Sequence, residues 1–232
     1  MKKEKITALV LAAGSGKRMQ SNTAKQYMLL GGKPLVCYAL EAFECSPVDE
    51  IIMVAGAGET EYCKNEIVNK YGYTKVTQIV AGGKERYHSV YHGLKAIKET
   101  DYVLIHDGAR PFVTEEIICR TIDEVKKEKA CVVGMPVKDT IKIVAQDGYS
   151  SVTPERKNVW MVQTPQAFSY KLILHAYEKV IAAGDDSVTD DAMVLEHADH
   201  LPVKLVEGSY RNIKITTPED MKVAELFLKE YF

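Results

Sequence analysis

Glycines set beside cations are the first chemistry this chain offers. Gly14-Ser15-Gly16-Lys17-Arg18 follows directly on the apolar run Ile6–Ala13. Glycine lets a backbone approach a polyphosphate closely and turn its N–H groups inward, while Lys17 and Arg18 supply counter-charge. Two familiar phosphate motifs do not fit. A P-loop needs glycine where Leu11 stands and a hydroxyl where Arg18 stands. A dinucleotide fingerprint needs a small residue at the position of Met19. Three further segments follow: Ala24-Lys25-Gln26-Tyr27, then Gly82-Gly83-Lys84-Glu85-Arg86 leading to Ser89, then His106-Asp107-Gly108-Ala109-Arg110-Pro111. An Asp at the carboxyl end of a strand can hold magnesium or a ribose hydroxyl. Taken singly, each segment reads equally well as a plain turn or a solvated loop.

What makes them a group is the order of elements between them. The β-rich apolar runs are Ile6–Leu11, Ile51–Ala55, Lys75–Val80, Tyr102–His106 and Ala130–Pro136. Helical stretches alternate with them near Pro34–Glu44, Thr60–Lys70, Glu85–Glu99 and Thr114–Glu128. In the third, Val90, Leu94 and Ile97 recur at i, i+4 and i+7, a core-facing stripe. Thr114 followed by Glu115 and Glu116 is a helix-start signature, and Pro34 suits a first turn. This rhythm predicts an α/β, Rossmann-like fold: a mostly parallel twisted sheet with helices on both faces. Its ligands bind outside the carboxyl ends of the strands, where the glycine-rich and acidic loops fall together as a nucleotide site.

The rhythm breaks after Met135. Val137–Asn158 alternates polar and β-branched residues around Asp147-Gly148, which predicts a hairpin arm projecting from a single domain spanning the chain. Such an arm packs most simply on a second subunit. Helices are expected near Tyr170–Ala183 and Thr189–Glu196, strands at Val203–Val206 and Ile213–Ile215, and a final helix from Pro218.

Composition excludes several classes. With 30 Lys plus Arg against 32 Asp plus Glu, the chain has no basic excess for nucleic acid. Apolar residues at 46% argue against disorder. No run approaches a spanning helix. Lys2, Lys3 and Lys5 ahead of an apolar stretch imitate a leader, but Glu4 interrupts them and the stretch feeds a glycine turn, so a buried strand is expected. Five scattered cysteines without C-x-x-C suit reduced, mostly buried thiols in a cytoplasm. Glu196-His197-Ala198-Asp199-His200 does not match a metalloprotease helix, and no metal cage is encoded.

The segment Leu-Ala-Ala-Gly-Ser-Gly-Lys-Arg-Met with Lys-Gln-Tyr, then His-Asp-Gly-Ala-Arg-Pro, then Val159-Trp160 leading to Gln163-Thr164-Pro165-Gln166, then Asn212-Ile213-Lys214, resembles the 2-C-methyl-D-erythritol 4-phosphate cytidylyltransferases. The resemblance runs in order over nearly the whole chain. It implies transfer of CMP from CTP to methylerythritol phosphate with release of pyrophosphate, in the non-mevalonate isoprenoid pathway. The attacking group is a phosphate oxygen, already ionised near neutral pH, so the chemistry needs cations and positioning rather than a general base.

The resemblance also implies roles. Arg18 and Lys25 match the pair that stabilises the pentavalent transition state. Backbone at Ala12, Ala13, Gly14, Ser15 and Gly16 cradles the triphosphate, and Gly83, Ser89, Asp107 and Ala109 hold the cytidine. Arg156, supplied by the other subunit of a homodimer, positions the acceptor with Thr189 and Lys214. Magnesium rides mainly on the CTP phosphates. Read without the family, Arg156 and Lys214 are surface charges, and Thr189 ahead of Asp190 and Asp191 is a helix cap. Two positions depart from many relatives: Ala24 replaces Pro, which would loosen the Lys25 loop, and Lys84 replaces Asp beside the ribose. The alternatives are a ribitol 5-phosphate cytidylyltransferase and a non-catalytic nucleotide-binding protein.

Overall fold

The computed structural model describes residues 3–14, 24–184 and 186–231. In chain order the elements are β1 (Ile6–Ala12), β2 (Leu29–Leu30), β3 (Lys33–Pro34), α1 (Leu35–Cys45), β4 (Glu50–Ala55), α2 (Thr60–Tyr62), β5 (Val76–Ala81), α3 (Arg86–Ala96), β6 (Tyr102–Asp107) and α4 (Glu115–Glu128). They continue with β7 (Ala130–Pro136), β8 (Ile143–Val144), β9 (Ser150–Val152), β10 (Trp160–Ser169), α5 (Tyr170–Ala183), α6 (Asp191–Asp199), β11 (Lys204–Glu207) and α7 (Pro218–Tyr231). The helix expected over 60–70 is present but winds as a π-helix over Cys63–Asn69 after a short α start.

Seven strands form one sheet in the order β11-β7-β10-β6-β1-β4-β5. All pair in parallel except β10, which runs antiparallel between β6 and β7. The pleat divides each strand between two cores. Ala8, Val10 and Ala12 of β1 face α1 and α4, against Val36, Leu40, Phe43, Ile118 and Val125. Leu9 faces the other way, into α3, α5 and α6 with Val90, Leu94, Tyr177 and Leu195. Each fully buried aliphatic side chain in such a layer contributes about 1.5–3 kcal/mol. A third, smaller cluster packs α7 over the β2–β3 turn through Leu30, Leu35, Phe112, Ile215 and Met221. No described helix is long and apolar enough to cross a membrane.

Local signals explain most boundaries. Thr114 caps α4, its Oγ1 accepting the Ile117 N–H at 3.3 Å. Pro34 stands just ahead of α1, with φ −55° already suited to the helix start. The arm is there as a short antiparallel hairpin, β8 with β9, turning at Gly148 (φ +85°) and closed at its base by the Val137 N–H on the Val159 carbonyl. Two expectations fail. Ile213–Ile215 is not a strand: Ile213 N–H turns back on the Arg211 carbonyl, and Ile215 N–H makes a single backbone bond to Ala109. The ten-residue strand β10 was not expected, because buried Gln163, Thr164 and Gln166 and the ring of Pro165 disguise it.

Gly93 marks where α3 touches the sheet. A Cβ there would lie 2.3 Å from Leu9 Cδ1 and 2.9 Å from Val54 Cγ2. Gly93→Ala is therefore expected to destabilise the fold by about 1–3 kcal/mol through overpacking, despite alanine's better helix propensity. Urea denaturation checks this, and a gain in stability would show that the layer can give way.

Candidate active site

The carboxyl edge of the sheet carries the expected loops. β1 ends at Ala12, β6 ends at Asp107, and the reversed β10 brings Gln163–Gln166 to the same edge. Here a cleft of about 260 Å³ is lined by Ala13, Gly14, Lys25, Gly83, Lys84, Arg86, Ser89, Asp107, Ala109 and Lys214, among others. A second cleft of about 490 Å³ adjoins it, lined by Arg110, Val162, Thr164, Gln166, Thr189 and Met193, among others. Arg86, Asp107 and Lys214 line both. Sequence-expected Ala12 sits at the buried end of β1. Ser15, Gly16 and Arg18 lie outside the described residues.

Lys25 opens a single 3₁₀ turn, Lys25–Tyr27, whose next two side chains anchor it. Gln26 Nε2 donates to the Ala12 carbonyl at 2.6 Å, and Tyr27 O–H donates to Glu59 Oε2 at 2.9 Å. The loop is thus tied to the end of β1 without a proline, and Ala24 itself adopts φ −57°, the value proline imposes. The Lys25 stem runs beside Gly14, whose added Cβ would stand 3.7 Å from Cε.

Ser89 works on the glycine loop from below. Its Oγ accepts the Gly83 N–H at 3.0 Å and donates to the Glu85 carbonyl at 3.1 Å. Gly82 has no room for a side chain: a Cβ would meet Ala13 Cβ at 2.5 Å and Ser89 Oγ at 2.7 Å. The two glycine segments therefore touch.

Asp107 is the electrostatic centre. It is 7% exposed, yet Lys214 Nζ lies 2.7 Å from Oδ2, Arg86 Nε 3.3 Å from Oδ1 and Arg110 Nε 3.9 Å from Oδ2. Burial pushes its carboxyl up, but Arg86, Lys214 and Arg110 outweigh that and hold it well below the usual range. Lys214 is delivered by Asn212, whose Nδ2 donates to the Thr164 carbonyl at 2.9 Å and whose own carbonyl accepts from Arg110 Nη1 at 2.8 Å.

Behind Asp107 runs a buried chain. His106 Nε2 faces the Arg110 carbonyl at 3.2 Å, which can only accept, so that nitrogen carries the proton. Nδ1 then accepts from Thr164 O–H at 3.0 Å, and Thr164 Oγ1 accepts the Asp107 N–H at 3.1 Å. With both ring nitrogens engaged, His106 is a brace and not a base. Burial lowers its pKa from 6.5 to about 4. Between those values the unfolded chain binds a proton that the folded one refuses, so stability is full above about pH 6.5. It falls as the pH drops, by roughly 3 kcal/mol at pH 4. Denaturation midpoints at pH 7, 5.5 and 4.5 should show that slope, and a His106→Gln variant should lose most of it.

Thr189, Arg156 and the cysteines are placed as follows. Thr189 does not cap α6: Asp190 does, its Oδ1 accepting the Met193 N–H at 2.9 Å, while Thr189 O–H donates to Met193 Sδ at 3.6 Å and lines the second cleft. Arg156 lines neither cleft; it sits exposed at the arm's base with Nη2 donating to Thr140. Of the cysteines, Cys37, Cys63 and Cys131 are buried, Cys119 is half-buried and Cys45 exposed, all free thiols.

Residues that sequence reasoning assigned no role prove central. Arg86 forks onto Asp191 at 2.9 and 2.8 Å, Asp191 is wholly buried, and Tyr177 O–H donates to it. Gln166 Oε1 accepts the N–H groups of Asp191 and Ala192 at 3.0 and 2.9 Å. Arg86 follows the Gly82-Gly83 pair closely, but its partner lies 105 positions away, with no local signal.

A cleft walled by glycine backbone and lysines, opening into one lined by two arginines and a lysine, suits the meeting of two phosphorylated molecules. The family model of 2-C-methyl-D-erythritol 4-phosphate cytidylyltransferase matches residues 6–230. A relative of that name from Lachnoclostridium phytofermentans is 52% identical over 228 residues, 98% of each chain. Another from Geobacter metallireducens is 48% identical over 97% of this chain and 98% of its own. The crystal structure of 4-diphosphocytidyl-2C-methyl-D-erythritol synthase from Anaerococcus prevotii superposes with a TM-score of 0.86 at 39% identity, covering 97% of this chain and 96% of that one.

Proposed function

The chain belongs to the 2-C-methyl-D-erythritol 4-phosphate cytidylyltransferase family, and we propose that it carries out that reaction across its two joined clefts. It transfers CMP from CTP to 2-C-methyl-D-erythritol 4-phosphate, giving 4-diphosphocytidyl-2-C-methyl-D-erythritol and pyrophosphate for isoprenoid synthesis. A phosphate oxygen of the acceptor attacks the α-phosphorus of CTP. The bond from that phosphorus to the bridging oxygen breaks, and pyrophosphate leaves with the electron pair. The single observation that carries this reading is the shared wall of Arg86, Asp107 and Lys214. It lets a nucleophile in the larger cleft reach a phosphate in the smaller one, the positioning such a displacement needs.

Within this reading, Lys25 and Arg18 stabilise charge on the α-phosphate, and the backbone of Ala12, Ala13, Gly14, Ser15 and Gly16 cradles the triphosphate. Gly83, Ser89, Asp107 and Ala109 form the cytidine side. Lys214 and Thr189 meet the acceptor, and Arg156 reaches it from a second copy of the chain. The exposed Ile143, Val144, Tyr149 and Val152 on the arm give that copy an apolar face. Members of this family are nucleotidyltransferases, which commonly use a divalent metal. Among the described residues no three His, Cys, Asp or Glu converge, and Asp107 already faces three cations. We therefore assign magnesium to the phosphates of CTP, as part of that substrate. The domain is read as one body with an arm at 137–158, working in the cytoplasm.

The test is pyrophosphate release from CTP and magnesium, run in parallel with methylerythritol phosphate and ribitol 5-phosphate. Release with the first alone supports the reading. Release with ribitol 5-phosphate alone would overturn the acceptor, and silence with both, in protein that binds CTP, would overturn catalysis.

A further inference from the structure

We propose that Arg86 is a positioning residue that releases Lys214 to the acceptor: pinned by Asp191, it stays as the counter-charge of Asp107 when Lys214 leaves that carboxylate for the incoming phosphate. The inference rests on the cytidylyltransferase reading above.

Lys214 Nζ is bound to Asp107 at 2.7 Å. It cannot serve an acceptor phosphate fully while it serves this carboxylate. Asp107 is almost wholly buried, and a buried carboxylate stripped of its cations is costly, so Lys214 leaves only if another cation remains. Two are on hand. Arg110 lies 3.9 Å away, and its fork is spent on the carbonyls of Asn212 and Val162. Arg86 is nearer, at 3.3 Å, and its geometry keeps it there.

Both Arg86 Nη atoms are committed to Asp191, leaving Nε to face Asp107. A bidentate arginine–carboxylate pair fixes direction as well as charge. Asp191 is itself held by Tyr177 O–H and by its backbone N–H on Gln166. Arg86 is therefore anchored, whereas Lys214 reaches Asp107 through one long stem on a stretch with no regular structure. The same strut fixes the start of α6, and so the Thr189 side of the second cleft.

The test compares wild type with Arg86→Lys and with the double variant Arg86→Gln/Asp191→Asn, which keeps hydrogen-bonding side chains and leaves no buried charge unpaired. Initial rates are measured with each substrate varied, CTP affinity by calorimetry and folding by thermal melting. The double variant is expected to raise the acceptor KM about tenfold or more, with kcat and the CTP Kd moving less than about threefold. Arg86→Lys, which keeps the charge but loses the bidentate fork, is expected to raise the acceptor KM by less than the double variant does. If the double variant does not fold, Asp191→Asn alone, which leaves Arg86 paired with Asp107 but loosens its anchor, should show a smaller rise of the same selectivity. Unchanged acceptor KM in the double variant, equal losses of CTP and acceptor affinity, or an Arg86→Lys variant more impaired than the double would overturn the inference. A wild-type protein with no turnover would instead overturn the reading beneath it.

Discussion

Replacing Lys25 with alanine should lower kcat by about 10²–10³-fold while the CTP Kd moves less than about threefold. The lysine is held at the end of β1 by its two neighbours, Gln26 on the Ala12 carbonyl and Tyr27 on Glu59, and it lines the smaller cleft beside Gly14. On the proposed reading, CTP spreads its charge over glycine-loop backbone and several cations, so losing one costs little affinity. During displacement the charge grows on the oxygens of one phosphorus. A cation already in place there needs no reorganisation, and its loss costs about 3–4 kcal/mol. Arg18→Ala should behave alike. Pre-steady-state binding of CTP set against steady-state turnover separates the two quantities, and equal losses in both would remove Lys25 from the transition state.

The second large effect concerns the arm. Arg156→Ala alone should leave almost no activity at sub-KM acceptor, because on the proposed reading that arginine meets the acceptor phosphate from a second copy of the chain. Mixed with Lys25→Ala protein, however, it should regain turnover. Each mixed dimer would contain one site with both residues intact and one with both missing. Random exchange makes half the dimers mixed, so the mixture should recover about a quarter of wild-type activity. Refolding the two variants together at equal concentration and measuring pyrophosphate release checks this. Activity no higher than that of either variant would place Arg156 within its own chain or outside the site.

The sheet was legible in the sequence wherever burial followed a simple period. β1, β4, β6 and β7 are runs of apolar residues covered on both faces, and Val90, Leu94 and Ile97 announced the face of α3. Legibility failed where polar residues are buried for the sake of the site. Gln163, Thr164 and Gln166 make β10 look like a loop, yet each is satisfied by a partner far away: Ser209, His106 and the start of α6. Ile213–Ile215 failed in the opposite sense. Its alternation is that of a strand, but its one sheet-like bond, to Ala109, serves to lay Lys214 against Asp107.

The loops of the candidate site were legible because glycine beside cation is a local signal. The Arg86–Asp191–Tyr177 network was not, since its members are brought together only by the packing of α3, α5 and α6. Thr189 shows a finer limit. Three consecutive candidates, Thr189, Asp190 and Asp191, share the start of α6, and the structure gives them three different tasks: one on the second cleft, one as cap, one as counter-ion.

The narrow overlap of the two clefts also bears on how such enzymes diverge. Val162, Met193, Glu196 and His197 line only the larger cleft, and Gly14, Lys25, Gly83 and Ser89 only the smaller. Selection for a new alcohol phosphate can therefore act on the first group while the nucleotide half is inherited unaltered. Three residues alone would be bound by both histories.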